Sequence, residues 1–256
     1  MNIPISKKPR IVIIGGGFAG IALAKKLKNT NYQVVLLDKH NYHTFQPLLY
    51  QVATGGLEAG SIAYPIRKVI QGCDDFYFRL TSVKDIDTVN QKIISEIGDL
   101  HYDYLVIATG SKTNYFGNKE IERNAMSMKT IPQSLNIRSF ILENFEQAVL
   151  TKDEADRNAL MNFVLVGAGP TGVELAGALA EMKKEILQKD YPDLDISQMQ
   201  INLIQSGDRV LTTMSDKSSI ECTRPADAED EHPMDRSPDP APPRQSEYPP
   251  WLRRER

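Results

Sequence analysis

The stretch IVIIGGGFAG, residues 11–20, decides the fold of this chain. Its four aliphatic residues predict a short buried strand, because no polar position interrupts the run. Gly15, Gly17 and Gly20 follow with the G-x-G-x-x-G spacing, and an amphipathic helix comes next. In a dinucleotide-binding turn the first glycine makes the tight turn, the second admits a pyrophosphate, and the third lets the helix pack on the strand. Unpaired N–H groups at the helix N-terminus then attract the phosphates.

A second apolar run at residues 34–37 ends at Asp38, about where a ribose-binding acid belongs. Three glycines alone are a weak signal, since an ordinary α/β protein also contains glycine turns. The ordered set of strand, glycines, helix, second strand and terminal acid is much more specific. It predicts a dinucleotide-binding unit at the start of the chain.

The stretch FVLVGAGPTG, residues 163–172, repeats this pattern with glycines at the same spacing. A long helix is predicted to run to about Lys189, and a strand at 201–204 ends at Gln205, where the first copy has Asp38. Two such units predict FAD at the Asp38 copy and an exchanging nicotinamide dinucleotide at the Gln205 copy. Neutral Gln205 repels a 2′-phosphate less than a carboxylate does, so NADPH stays open beside NADH.

The sequence predicts an α/β fold with two Rossmann-like units, each with a parallel sheet, the second unit being incomplete. Between them we expect a short helix at 61–72, an antiparallel meander of two or three strands within 76–97, a strand at 102–110 and a helix at 133–150. The predicted division is an FAD-binding domain with the antiparallel insertion at 1–130, a helical connection and charged linker at 131–158, a partial NAD(P)H-binding domain at 159–219 and a disordered, proline-rich tail at 220–256.

Composition excludes several classes of function. A net charge of −3 shows no excess of basic residues of the kind that nucleic-acid binding requires. No apolar run approaches the roughly 18 residues of a membrane span. Cys73 and Cys222 lie far apart and match no metal or disulfide pattern. His40 and His43 lack a neighbouring carboxylate or cysteine to complete a ligand set, so we expect no metal site. A cytoplasmic location is the default expectation.

Two segments have two interpretations each. The polar-aromatic segment at 39–51 is either a surface loop with buried aromatic residues or a loop that reaches the reactive ring of a cofactor. The strand that ends at Ala108, Thr109 and Gly110 either approaches the same cofactor or simply stops at a glycine.

The phrases HTFQPLLYQVAT at 43–54 and GAGPTGVE at 167–174, together with both glycine loops, carry a family resemblance. The chain resembles the type II, non-proton-pumping NADH dehydrogenases of the pyridine nucleotide-disulfide oxidoreductase superfamily, over roughly residues 9–219. These proteins pass electrons from NADH through FAD to a quinone.

The resemblance implies roles for particular residues. It assigns FAD binding to Gly15, Gly17, Phe18, Ala19, Gly20, Asp38, Lys39, Ala108, Thr109 and Gly110, and nicotinamide-nucleotide binding to Gly167, Gly169, Pro170, Thr171 and Gly172; Gln205 joins the second set through its position at the strand end. It places Gln46 and Pro47 near the flavin ring. Glu174 matches an acid linked to proton movement toward quinone, with a carboxylate stabilised by the helix dipole as the alternative.

Cysteine positions narrow the choice among the flavoprotein relatives. Relatives that reduce disulfides need a redox-active cysteine pair soon after the first unit, and residues 39–56 contain none. Electrons therefore have to pass from flavin to an external acceptor, and the same absence argues against sulfide oxidation.

The last residues depart from the family pattern. Residues 220–256 hold eight of the fifteen prolines and few large aliphatic residues, so we expect them to be disordered. Complete members are peripheral on the cytoplasmic face of the inner membrane, held there by C-terminal helices, and a homodimer is compatible with the family. We expect a truncated product with impaired activity. The alternatives are a non-catalytic nucleotide-binding fragment and a soluble flavin-dependent NAD(P)H reductase of a small redox protein.

Overall fold

The computed structural model describes residues 1–223 of the chain. Its strands are β1 (Arg10–Ile14), β2 (Gln33–Asp38), β3 (Tyr42–Thr44), β4 (Ala63–Pro65), β5 (Phe76–Leu80), β6 (Val83–Asp87), β7 (Lys92–Ser95), β8 (Leu100–His101), β9 (Tyr104–Ile107), β10 (Asn162–Val166) and β11 (Gln200–Ile204). Its α-helices are α1 (Phe18–Lys26), α2 (Leu49–Ala53), α3 (Ile66–Val69), α4 (Lys119–Asn124), α5 (Ile131–Leu150), α6 (Glu154–Leu160), α7 (Pro170–Met182), α8 (Gln188–Asp190) and α9 (Asp216–Thr223). Turns of 3₁₀ helix lie at Gln46–Leu48, Ala59–Ile62 and Ile196–Gln198, and a π-helical turn, Lys183–Leu187, joins α7 to α8.

Strand β1 lies inside a four-stranded sheet with the order β5-β2-β1-β9, in which every pair is parallel. Ile13 lies opposite Leu36 on one side and Val106 on the other. One face of β1 and β2 packs against α1 and α3, and the other packs against β7 and β8. Cover on both faces explains why these strands are continuous apolar runs. The first predicted Rossmann-like unit is confirmed.

The prediction of a purely antiparallel region within 76–97 is wrong for its first strand. Strand β5 pairs in parallel with β2, with Phe78 opposite Leu36. Phe76 and Phe78 are buried in the same cluster as the β1 and β2 side chains, since two aromatic rings gain more burial there than at an exposed hairpin. Strands β6 and β7 form the predicted antiparallel pair, and β8, which lies beyond the predicted range, extends it to a three-stranded meander in the order β6-β7-β8.

Residues 61–72 contain less helix than predicted. Strand β4 pairs antiparallel with β3, with His43 opposite Tyr64, and only Ile66–Val69 is α-helical. Pro65 explains the difference, because a proline disfavours the helical conformation in the residue before it. The result is a short antiparallel pair of strands, β3 and β4, beside the first glycine turn.

Helix α5 begins two residues earlier than predicted, at a capping box formed by Thr130 and Gln133. The predicted charged linker at 151–158 contains most of helix α6, which Asp153 caps. Met161 follows this helix and is buried in the same cluster as Phe145 of α5. The charged side chains of 151–158 therefore cover a packed segment.

The second unit repeats the parallel arrangement with two strands. Strands β10 and β11 are parallel, with Leu165 opposite Leu203, and α7 connects them. Phe163 packs into a core formed with α5 and α7, whereas Val164 and Val166 are 53% and 67% exposed. The second Rossmann-like unit is confirmed, and one face of its sheet is open within the described residues.

Helix α9 runs to Thr223, beyond Ser219, after which the sequence predicts a disordered tail. The remainder of that predicted tail, 224–256, lies outside the described residues. Over residues 1–223, no helix is long and apolar enough to cross a membrane.

Candidate dinucleotide-binding site

The first glycine turn follows directly from β1. Gly15 has φ +109°, and its N–H donates to the Leu37 carbonyl at 2.8 Å. A Cβ on Gly15 would lie 2.3 Å from the Ala108 carbonyl oxygen, and a Cβ on Gly20 would lie 1.8 Å from the Gly15 carbonyl oxygen. Glycine is therefore required at both positions, at Gly15 for its backbone conformation and at both for close approach.

The N-terminus of α1 is open toward solvent. Gly17 is its N-cap, no side chain caps it, and an added Cβ would meet nothing within 4 Å. Gly17, Phe18 and Ala19 are exposed. The first N–H groups of a helix have no partner inside it, and the helix dipole adds positive character there. This end of α1 therefore offers unpaired N–H groups and positive dipole character, the two features that attract an anion.

Asp38 lies at the same turn. Its Oδ2 accepts a hydrogen bond from the Gly16 N–H, and its Oδ1 accepts one from the His40 N–H at 2.7 Å. Lys39, the next residue, is exposed. The carboxylate predicted to bind a ribose therefore also holds the backbone of the turn.

Aromatic side chains bring the 39–51 segment to the turn. The Phe18 ring packs edge-on against His43, with 4.9 Å between centroids, and against Phe45, with 5.6 Å. Gln46 and Pro47 follow Phe45 in a 3₁₀ turn and are both exposed. The structure thus places the predicted flavin-side residues next to the first glycine turn.

The end of β9 forms the other side of the turn. The Ala108 N–H donates to the Ile14 carbonyl at 2.8 Å. The chain that follows β9 therefore passes next to Gly15. Thr109 and Gly110 are exposed beyond it, and Gly110 has φ +71°.

The second glycine turn has the same local geometry. Gly167 has φ +105°, and its N–H donates to the Ile204 carbonyl at 2.8 Å. A Cβ on Gly172 would lie 1.9 Å from the Gly167 carbonyl oxygen. Gly169 caps α7 without a side-chain hydrogen bond, and Pro170 is the first helical residue.

Gln205 takes the place of Asp38 at the second turn. Its Oε1 accepts from the Ala168 N–H at 3.0 Å, as Asp38 accepts from Gly16. The predicted equivalence of Asp38 and Gln205 therefore extends to their backbone contact. Thr171 is exposed beside this turn.

Glu174 lies in α7 and is exposed. Its neighbour Leu175 is buried in a cluster that also contains Ala53 of α2. Helix α2 follows the Gln46–Pro47 turn, so this packing links the flavin-side segment of the first unit to the nucleotide-side helix of the second.

His43 also lies at this site, although the sequence assigned it no role in dinucleotide binding. It is 5% exposed, and its Nδ1 lies 3.0 Å from the Gly16 carbonyl oxygen. Burial lowers the pKa of His43 below its usual value, although the Gly16 contact and Asp38 act to raise it. No group of potential metal ligands occurs in the part of the chain that the structure describes. The sequence singled out His43 only as the first residue of the 43–54 phrase and, beside His40, as half of an incomplete metal-ligand set.

Both turns fit a dinucleotide. Each has an uncapped helix N-terminus, a glycine with open space at the second position, and a polar side chain at the end of the following strand. Residues 9–226 match the family model described as pyridine nucleotide-disulphide oxidoreductase. The chain belongs to this family.

The curated proteins that this chain resembles include NADH:quinone and NAD(P)H-ubiquinone oxidoreductases. The type II NADH:quinone oxidoreductase Ndh of Mycobacterium tuberculosis is 40% identical over 215 residues, which are 82% of this chain and 46% of that protein. The mitochondrial external alternative NAD(P)H-ubiquinone oxidoreductase B3 of Arabidopsis thaliana is 35% identical over 229 residues, covering 84% and 39%. The predicted resemblance to type II NADH dehydrogenases is confirmed.

A solved structure gives the same relationship. The NDH2 of Plasmodium falciparum, determined in complex with NADH, superposes with a TM-score of 0.76 at 27% identity, covering 84% of this chain and 45% of that one. The chain thus spans less than half the length of these relatives.

The segment in which disulfide-reducing relatives are expected to carry a redox-active cysteine pair has no cysteine in this chain. Residues 39–56 contain none, and Cys73 is a free thiol between α3 and β5. The 39–51 segment presents Gln46 and Pro47 instead.

Proposed function

We propose that this chain binds FAD at the first glycine turn and NADH at the second, and that it passes hydride from NADH to flavin and electrons on to a quinone. The observation that carries the proposal is the repeated turn, with equivalent backbone contacts at Gly15 and Gly167 in one chain. Relatives at 35–40% identity are quinone oxidoreductases by name, which supports a quinone as the acceptor.

The first turn would hold the FAD diphosphate and ribose. The residues that we assign to this binding are Gly15, Gly17, Phe18, Ala19, Gly20, Asp38, Lys39, Ala108, Thr109 and Gly110. The open N-terminus of α1 neutralises phosphate charge, and the end of β9, where the Ala108 N–H donates to the Ile14 carbonyl, lies against the turn. A bound flavin supplies the two-electron chemistry that accepts a hydride and delivers electrons to the acceptor.

The second turn would hold the nicotinamide nucleotide. The residues that we assign to it are Gly167, Gly169, Pro170, Thr171, Gly172 and Gln205. Neutral Gln205 repels the 2′-phosphate of NADPH less than a carboxylate at this position would. We therefore propose weak discrimination between NADH and NADPH.

Three residues would act near the reacting groups. We assign Gln46 and Pro47 to the flavin side, because the Phe18–Phe45 contact holds their turn beside the first glycine turn. We assign to Glu174 the handling of a proton on the path to quinone, since it is exposed on the helix that packs against α2.

The wider setting follows from the same resemblance. We propose the domain division given above, attachment of the working enzyme to the cytoplasmic face of a membrane, and a homodimer. Membrane attachment would place the reduced flavin within reach of a quinone dissolved in lipid.

The test is a stepwise flavin experiment on the purified chain. We expect bound FAD in its absorption spectrum, bleaching of the flavin band on anaerobic addition of NADH, and recovery on addition of a short-chain quinone. A protein that binds no FAD overturns the proposal. Bound flavin without bleaching would instead support a non-catalytic nucleotide-binding role. Recovery with a small iron–sulfur protein but not with quinone would support a soluble reductase.

A further inference from the structure

Two side chains hold the backbone of Gly16, the residue between the first two glycines of the motif. Asp38 accepts from its N–H, and the His43 ring lies 3.0 Å from its carbonyl oxygen. Both side chains come from the segment that spans the end of β2 and the β3 strand. A carbonyl oxygen only accepts hydrogen bonds, so Nδ1 of His43 carries the proton and donates it.

The orientation of this carbonyl determines where the next N–H group points. The Gly16 carbonyl and the Gly17 N–H belong to one trans peptide, in which the two groups point in opposite directions. His43 is buried and draws the carbonyl toward the protein interior. The Gly17 N–H is thereby directed outward, at the exposed N-terminus of α1.

The second turn holds the equivalent peptide by another route. The Ala168 N–H donates to Gln205, and the Ala168 carbonyl accepts from the Leu211 backbone N–H at 2.8 Å. Both turns thus hold this residue through its N–H and its carbonyl. Only in the first turn does a side chain supply the donor to the carbonyl, and that side chain is His43.

We propose that His43 is a positioning residue for the dinucleotide at the first turn, because its Nδ1–H fixes the Gly16–Gly17 peptide with the Gly17 N–H facing the ligand. The inference rests on the proposed function, in which this turn binds FAD. The His43 ring also packs edge-on against Phe18, the first residue of α1, so it fixes the start of the helix as well.

The test compares variants that keep or lose the donor. His43→Asn keeps an N–H group at the position of Nδ1, His43→Gln moves it one bond farther along the side chain, and His43→Leu removes it. The matched control is His101→Leu, because the exposed His101 also places Nδ1 against a backbone carbonyl, that of Asn90 at 3.2 Å, in the meander. FAD affinity is measured by quenching of flavin fluorescence, and the flavin environment by visible circular dichroism.

We expect His43→Leu to bind FAD about tenfold more weakly, which corresponds to about 1.4 kcal/mol, because the Gly16 carbonyl loses its donor and the Gly17 N–H is no longer held toward the ligand. His43→Asn should recover most of this affinity and the wild-type dichroism, and His101→Leu should match wild type. Equal FAD affinity in His43→Leu and wild type, or equal losses in His43→Asn and His43→Leu, would overturn the inference.

Two further measurements keep the test decisive. If His43→Leu fails to fold, the comparison of His43→Asn with His43→Gln replaces it, and equal affinities for that pair contradict the positioning role. If the wild-type chain binds no FAD at all, the proposed function fails, which is distinguishable from a failure of the His43 inference alone.

Discussion

The two glycine turns share one local geometry but differ in what lies above them. Gly15 and Gly167 have nearly the same φ, +109° and +105°. The Gly15 N–H donates to the carbonyl of Leu37, the residue before Asp38, and the Gly167 N–H donates to the carbonyl of Ile204, the residue before Gln205. A Cβ on Gly15 would collide with Ala108, whereas a Cβ on Gly167 would meet nothing within 4 Å. The motif itself sets the turn, and a strand distant in sequence decides whether the turn is covered.

The sheets beneath the two turns differ in the same way. Val12 in β1 is fully buried, because the first sheet is covered on both faces. Val164 and Val166 in β10 are exposed, because the described part of the second unit covers one face only. Similar apolar runs therefore occupy different environments.

The largest expected effects test what the turns share. Gly20→Ala and Gly172→Ala each place a Cβ within 1.9 Å of backbone oxygen in their own turn, so each should destabilise its unit by about 3 kcal/mol. Gly20→Ala should abolish FAD binding. Gly172→Ala should keep flavin and lose bleaching by NADH. Urea unfolding and flavin spectra measure both. Gly177→Ala, with open space at its Cβ, is the control. A near-neutral effect at either turn would show that the helix can shift away.

The next prediction tests how the turns differ. Gly167→Ala adds only the strain of a positive φ, about 1–2 kcal/mol. Gly15→Ala adds the same strain and the collision with Ala108, so it should cost about 2 kcal/mol more. Urea unfolding of the two variants gives the difference. Equal losses of stability would mean that β9 shifts to make room for the added Cβ at little energetic cost.

A charge exchange tests the residue at the strand end. Gln205→Glu keeps an oxygen that accepts from Ala168 but adds a negative charge, so the ratio of NADH to NADPH affinity should rise about tenfold. Gln198→Glu adds the same charge at an exposed site in a different turn and serves as the control. Titration of flavin bleaching with each nucleotide measures the ratio. An unchanged ratio in Gln205→Glu would remove Gln205 from nucleotide selection.

The smallest effect is a pH dependence confined to the first turn. Burial lowers the pKa of His43 from 6.5, with Lys25 acting in the same direction and the Gly16 contact and Asp38 opposing it. The unfolded chain then binds more protons in this window, so stability is lost as the pH falls from 6.5 toward the folded pKa. His43→Asn should remove this component of the pH dependence of urea unfolding, whereas His101→Asn should not. An identical pH profile in His43→Asn and wild type would contradict this.

Much of the site could be predicted from the sequence. The spacing of Gly15, Gly17 and Gly20 and the position of Asp38 located the turn, and the second copy located its counterpart. These requirements are local, because a positive φ and a missing Cβ act within a few residues of the glycine itself. The same locality explains why Gln205 could be matched to Asp38.

Other features could not be predicted. Strand β5 joins the parallel sheet although its sequence also suits a hairpin, because burial of Phe76 and Phe78 depends on β2 and α3. His43 could not be assigned, because its function depends on a carbonyl in another element.

The sequence by itself determined that this chain contains two dinucleotide turns, since glycine spacing and strand-end polarity are local constraints on the backbone. Only the tertiary structure decided that the Ala108 carbonyl covers the first turn, that one sheet is buried on both faces and that His43 holds Gly16. Each of these depends on contacts between residues that the chain separates, and neither hydrophobic period nor residue type specifies which distant partner a side chain meets.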